Sequence, residues 1–159
     1  MAVRKIRIAL IEDSNTIRTF YKALFMKAGF DVVEAADSKI GWEIICDEKP
    51  DVIVLDMMMP GIPGIELLKR IRSFDFSKEI PVLVLTAMKE KDQIQEIFKH
   101  GADHYSLKGM DSPELIRETV YGLLKKKSEK AVVQTLEKTN PLTGEPELNE
   151  IDKHFFWFD

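Results

Sequence analysis

Residues 52–61 read "VIVLDMMMPG": four apolar residues, one carboxylate, three methionines and then Pro-Gly. The apolar run lacks polar alternation, as a strand buried on both faces of a parallel sheet does. Asp56 closes that run, where an uncompensated charge would be strongly unfavourable. What the fold brings to the same rim as Asp56 therefore decides the chemistry.

Working outward, four further runs have strand character: "IRIALI" (6–11), "DVVEA" (31–35), "PVLVL" (81–85) and the weaker "DHYSL" (103–107), with "DVIVL" (51–55) as the third of five. Pro81 opens its strand, where a missing N–H is tolerated. Helical patterns lie between them. Ile17, Phe20, Tyr21, Leu24, Phe25 and Ala28 repeat at helical spacing behind Ser14 as N-cap, and Gly29 supplies the stop. "SKIGWEIICDEK", "GIELLKRIRSF" and "KDQIQEIFKHG" give the second, third and fourth helices. Ser112-Pro113-Glu114 starts the fifth, a cap followed by proline at the first helical position and an acid near the positive helix end. Its expected buried stripe is Leu115, Thr119, Val120, Leu123 and Leu124. Strict alternation of strand and helix predicts an α/β fold, a doubly wound, flavodoxin-like five-stranded parallel sheet in the order 2-1-3-4-5.

That domain spans 1–127. Residues 128–159 form an acidic extension in which "AVVQTLEK" adds a turn or two of helix, "TNPLTGEPEL" is irregular, and "HFFWFD" places four of the chain's aromatics together. This aromatic end reads either as an exposed, non-specific end or as a docking segment that covers an apolar patch on this molecule or a neighbour, packing against the signalling face or the second subunit of a homodimer.

With 159 residues, 45% hydrophobic and 31% charged, the chain has the balance of a soluble globular protein with one full core. Residues 1–127 hold 20 basic and 20 acidic side chains, and the extension has three lysines against seven acids. Such a balance offers no electrostatic footprint for nucleic acid. The single cysteine, Cys46, reads as a small core residue and excludes a disulfide framework. His100, His104 and His154 lack metal-ligand spacing and read as surface residues. "MAVRKIRIALIEDS" reads as a strand and not a signal peptide, and no apolar run approaches the roughly 20 residues of a membrane span. The expected location is the cytoplasm.

In an open α/β sheet, ligands bind beyond the carboxyl ends of the strands, at the point where strand order reverses. Strand one ends in Glu12-Asp13 and strand three in Asp56, so three carboxylates converge. Like charges this close raise one another's pKa unless a cation intervenes, and an all-oxygen, partly hydrated site suits Mg²⁺. Thr86 and Lys108 end strands four and five on the same rim. A hydroxyl, an ammonium and a metal ion around a carboxylate suit a phosphoryl group, and Asp56 is best placed to act as nucleophile and form an acyl phosphate.

"KPDVIVLDMMMPGIPGIELLKRIR", "IPVLVLTA" and "GADHYSLK" resemble the receiver domain of two-component response regulators over Lys5 to Lys127, and the strand order comes with that resemblance. The resemblance implies that Asp56 takes a phosphoryl group from a sensor histidine kinase or phosphotransfer protein. It also implies that Glu12, Asp13, Asp56 and the Met58 main-chain carbonyl hold Mg²⁺, and that Thr86 and Lys108 contact the phosphoryl oxygens. Tyr105 would turn inward as Thr86 moves, switching a face of helix four, strand five and helix five toward a downstream protein partner. The expectation is a phosphoacceptor signalling protein and not an enzyme.

The chain departs from the family pattern in three places. Gly109 stands where the family has proline after a cis bond, so a trans bond or a remodelled loop is expected. Pro63 replaces a common aspartate at the helix-three entry. Met58 and Met88 flank the site, and neither thioether orients an attacking water, so slow loss of the phosphoryl group is expected. The rival readings are a degenerate receiver scaffold, a flavodoxin-like flavin protein and an aspartyl-phosphate phosphatase. The last lacks its second acid, because Met58 occupies that place.

Overall fold

The structure, a computed structural model, describes residues 4–137. Five strands, β1 (Arg7–Ile11), β2 (Asp31–Ala35), β3 (Val52–Leu55), β4 (Val82–Thr86) and β5 (His104–Leu107), alternate with five helices. These are α1 (Asn15–Lys27), α2 (Ser38–Glu48), α3 (Gly64–Ser73), α4 (Lys91–Lys99) and α5 (Pro113–Glu137). All strand pairs are parallel and the sheet order is β2-β1-β3-β4-β5, as expected.

The sheet is covered on both faces, which explains the unbroken apolar runs of β3 and β4. Alternate residues feed two cores. Ala9, Ile11, Ile53, Leu55, Val82 and Val84 pack with Ile45 of α2, Leu67, Leu68 and Ile71 of α3, and Ile97 of α4. Ile8, Leu10, Val52, Val54, Leu83 and Leu85 pack on the other side with Tyr21 and Phe25 of α1 and with Ile116, Val120, Leu123 and Leu124 of α5.

The helix ends follow their sequence signals. Ser14 caps α1 by accepting from Ile17 N–H, Asp37 caps α2 by accepting from Ile40 N–H, and Ser112 accepts from Leu115 N–H at the start of α5. Arg72 ties α3 to its surroundings, donating to the carbonyls of Gly101, Lys78 and Ile80 and to Asp103. At the opposite end of the sheet from the acid cluster, Arg4 makes a two-pronged bond to buried Asp51, which also accepts from Arg7 N–H.

Several expectations are corrected. In α5 the buried stripe includes Ile116 and not Leu115, which is exposed, and Thr119 instead turns its hydroxyl onto the Leu115 carbonyl at 2.8 Å. Phe20 on α1 is exposed, and Cys46 is half-buried and not a core residue. Met58 is exposed while Met57 and Met59 are buried. His104 is exposed and His100 half-buried beside Glu96; His154 lies outside the described residues, as does the aromatic end. Helix α5 runs through Lys127 to Glu137, so the added turns of helix expected there are present.

Candidate phosphoacceptor and metal site

The rim of the sheet is stitched by backbone bonds that fix where each strand-end side chain stands. Glu12 N–H donates to the Ala35 carbonyl, Asp56 N–H to the Ile11 carbonyl, and Lys108 N–H to the Thr86 carbonyl, all within 3.0 Å. Glu12 and Asp56 thus leave adjacent strands at the same level. One carboxylate oxygen from each of them and one from exposed Asp13 all lie within 4.8 Å of one another.

Glu12 is 1% exposed and Asp56 2% exposed, so two carboxylates share a nearly dry site. The Lys108 ammonium sits between them, 2.6 Å from Glu12 Oε2 and 3.0 Å from Asp56 Oδ2. Those two oxygens face the ammonium without a well-directed hydrogen bond. Their partner atoms are better satisfied: Glu12 Oε1 accepts from Ser14 N–H at 3.3 Å and Asp56 Oδ1 from Met58 N–H at 3.1 Å. Burial lifts the Glu12 carboxyl above the usual glutamate range, with the Lys108 contact opposing and the Asp56 charge assisting. For Lys108 burial is the largest influence and works downward, but the contacts with Glu12 and Asp56 outweigh it and raise the pKa.

The donor set fits a hard divalent cation. It is all oxygen, contains two buried carboxylate atoms short of directed partners, and opens to solvent through Asp13. Met58 stands at the mouth of the site.

Thr86 is fully buried at the end of β4, and its hydroxyl accepts from Met88 N–H at 3.3 Å. Tyr105, half-buried on β5, stands opposite Val84 in the register, while Leu107 stands opposite Thr86. The peptide bonds of the described residues are all trans, and Gly109 takes a left-handed φ of 74° just past Lys108. With this glycine turn directly after it, Lys108 contacts both acids.

Two residues at the site escape a reading of polar motifs. Gly64 opens α3 against the loop from Asp56: a Cβ there would lie 2.1 Å from the Asp56 carbonyl oxygen and 2.7 Å from the Met57 Cα. A glycine directly after Pro63 at a helix start was the available signal. Tyr21 is buried on α1 next to the Lys108 turn. Its phenol is raised by burial, with Lys108 opposing, and no pattern of charged residues marks it.

Comparison with known proteins bears on the family and the fold. The family described as response regulator receiver domain matches residues 8–120. Sporulation initiation phosphotransferase F of Bacillus subtilis is 37% identical over 122 residues, covering 77% of this chain and 96% of that protein. The phosphate regulon transcriptional regulatory protein PhoB of Pseudomonas aeruginosa is 35% identical over 109 residues, 69% of this chain but only 48% of its own length. The chain thus spans about half of the phosphate regulon regulator. Among solved structures, the chemotaxis response regulator CheY4 of Vibrio cholerae superposes with a TM-score of 0.71 at 28% identity, covering 76% of this chain and 99% of that one. The Francisella response regulator 1452 receiver domain gives 0.70 at 32% identity, covering 77% and 98%. The matched family and the relative matched over 96% of its own length show that the chain belongs to the response regulator receiver domain family of two-component systems.

Proposed function

We propose that Asp56 accepts a phosphoryl group from the phosphohistidine of a sensor histidine kinase or phosphotransfer protein, and that the modified chain then controls a downstream protein partner or its own association. The observation that carries this reading is the placement of Lys108 between buried Asp56 and Glu12, with Asp13 close by. A carboxylate oxygen of Asp56 attacks phosphorus, the phosphorus–nitrogen bond breaks, and the imidazole leaves and takes up a proton.

Glu12, Asp13, Asp56 and the Met58 carbonyl would hold Mg²⁺. The ion would supply positive charge opposite the phosphoryl oxygens. Lys108 is positioned to exchange its contact with Asp56 for one with a phosphoryl oxygen, and Glu12 keeps it at the site during that exchange. Thr86 can donate its hydroxyl to the phosphoryl group by turning from Met88 N–H, and the space it leaves favours an inward Tyr105. One added charge then biases two arrangements of the face formed by α4, β5 and α5.

On this reading the chain is a phosphoacceptor of the cytoplasm and not a turnover enzyme. Met58 stands where a phosphatase would need an acid. No helix among the described residues is long and apolar enough to cross a membrane. The balanced charge of residues 1–127 favours a protein partner over nucleic acid.

The test is incubation with Mg²⁺ and acetyl phosphate, followed by intact mass. The expected result is one added phosphoryl group on the wild type and none on Asp56→Asn. An unmodified wild-type mass, or equal labelling of the variant, would overturn the reading.

A further inference from the structure

The α2–α3 side of the molecule carries an aromatic surface that the strand-end site does not use. Trp42 of α2 meets Phe74 at 5.2 Å and Phe76 at 5.7 Å between ring centroids, and the two phenylalanines meet each other at 5.9 Å. Despite these contacts Phe74 is 44% and Phe76 49% exposed. Trp42 and Phe74 line an open groove of about 640 Å³ together with buried Leu67 and exposed Ile62, and Phe76 adjoins them through its ring contacts. Arg70 lies 5.3 Å over the Trp42 ring, and with Lys39 and Lys69 it gives the lining three cations against the two acids Glu43 and Glu66. Two exposed rings on so small a domain form a surface suited to an apolar partner.

The sequence contains a matching segment. Residues 154–158, "HFFWF", bring four large rings together, and residues 138–159 hold five acids against two lysines. Helix α5 packs on the other face of the sheet, but its C-terminal part reaches the loop that follows α3. Lys130 pairs with Glu79 at 3.2 Å, which sets the last turns of α5 against the α3–β4 connection carrying Phe74 and Phe76. From Glu137, residues 138–153 can bridge up to roughly 50 Å when extended. A tether of that length holds its end at an effective concentration on the order of millimolar, so a few ring contacts suffice for occupancy. The smaller groove between α1 and α5, bordered by Phe20, Pro113 and Arg117, lies at the other end of α5 from Glu137.

We infer that the aromatic segment 154–158 docks in the α2–α3 groove of its own chain, its rings against Trp42, Phe74 and Phe76 and its acidic flank toward Lys39 and Arg70. This inference does not depend on phosphorylation of Asp56.

The test uses the full chain with the photocrosslinker p-benzoylphenylalanine in place of Trp157, irradiated at low concentration, with monomer and dimer separated before peptide mapping. The expected result is a crosslink within the monomer to peptides containing Trp42 or residues 74–76. The double substitution Phe74→Ser, Phe76→Ser removes two exposed rings and should lower that yield roughly tenfold. Circular dichroism verifies that the doubly substituted domain remains folded. Crosslinks at Phe20 or Arg117, crosslinks confined to the dimer, no crosslink at all, or a yield unchanged by the double substitution would each overturn the inference.

Discussion

The Lys108 ammonium stands closer to Glu12, at 2.6 Å, than to Asp56, at 3.0 Å. One cation is therefore shared between two buried anions, and Asp13 adds a third negative charge at the edge of the site. Without a metal ion the site carries more negative charge than it can neutralise.

Asp56→Asn should therefore stabilise the metal-free protein. The amide keeps an acceptor for Met58 N–H, now bonded at 3.1 Å, while removing one of the competing charges. A gain of about 1 kcal/mol is expected from relief of like-charge repulsion. Lys108→Met should act oppositely, costing about 3 kcal/mol because both carboxylates lose their cation. Urea unfolding in the presence of a chelator checks both signs, and a destabilised Asp56→Asn would contradict the shared-cation arrangement.

The raised pKa of Glu12 gives a pH dependence with a definite sign. Its folded-state pKa lies above the ordinary value of 4.5 because burial disfavours the charged form. The folded state thus binds the proton more tightly than the unfolded chain, and this carboxyl makes stability fall as pH rises from 4.5 through the raised pKa. Glu12→Gln mimics the protonated group. In metal-free buffer its stabilising effect relative to wild type should be largest at pH above the raised value and shrink toward the ordinary glutamate range. A constant difference across that window in urea unfolding would show that Glu12 does not titrate in this way.

The apolar runs of β3 and β4 made the covered sheet legible because burial on both faces removes polar alternation. Asp56, Glu12, Asp13, Thr86 and Lys108 were legible as a group because strand order turns four separate strand ends into one rim. Helix phase was less so. Leu115 and Ile116 are adjacent, each begins a different four-residue stripe, and only packing against Leu83 and Leu85 selects Ile116. The Arg4–Asp51 bond and the four acceptors of Arg72 join distant segments, so nothing local announces them. Close backbone approaches leave only a faint trace, a glycine where a helix begins.

Gly64 is such an approach. Alanine there would place Cβ 2.1 Å from the Asp56 carbonyl and 2.7 Å from Met57 Cα, both backbone atoms that cannot rotate away. Gly41→Ala meets only the Ile11 side chain, at 2.8 Å, which can adopt another rotamer. Gly64→Ala should cost about 3 kcal/mol and Gly41→Ala about 1. Gly64→Ala should also slow phosphorylation by acetyl phosphate, since the shift falls on the loop that carries Asp56. Equal stability of the two variants would contradict this contrast.

Magnesium should raise the melting temperature of the wild type, because on the proposed reading the ion binds the folded arrangement of Glu12, Asp13 and Asp56 and not the unfolded chain. At 100 times its dissociation constant the gain is about 2.7 kcal/mol. Asp13→Asn and Glu12→Gln should each weaken the response, and calcium should serve less well where octahedral geometry is required. Thermal unfolding across a magnesium titration provides the measurement; identical curves for wild type and Asp13→Asn would remove Asp13 from the ligand set.

The phosphoryl group on Asp56 should be slow to leave. Hydrolysis needs a water aligned behind phosphorus, and the residues two positions past Asp56 and Thr86 are Met58, which is exposed, and Met88, which is half-buried against the core. A thioether is a weak acceptor and orients water poorly. Met58→Asn supplies a carboxamide at the mouth without altering the Met58 N–H bond to Asp56 Oδ1, and it should shorten the phosphoryl lifetime several-fold. The measurement is decay of the phosphorylated mass after removal of acetyl phosphate. Because the wild-type and variant sites differ only in the group beside the attacking water, a wild-type lifetime of seconds, or one that Met58→Asn leaves unchanged, would show that these methionines do not set the rate.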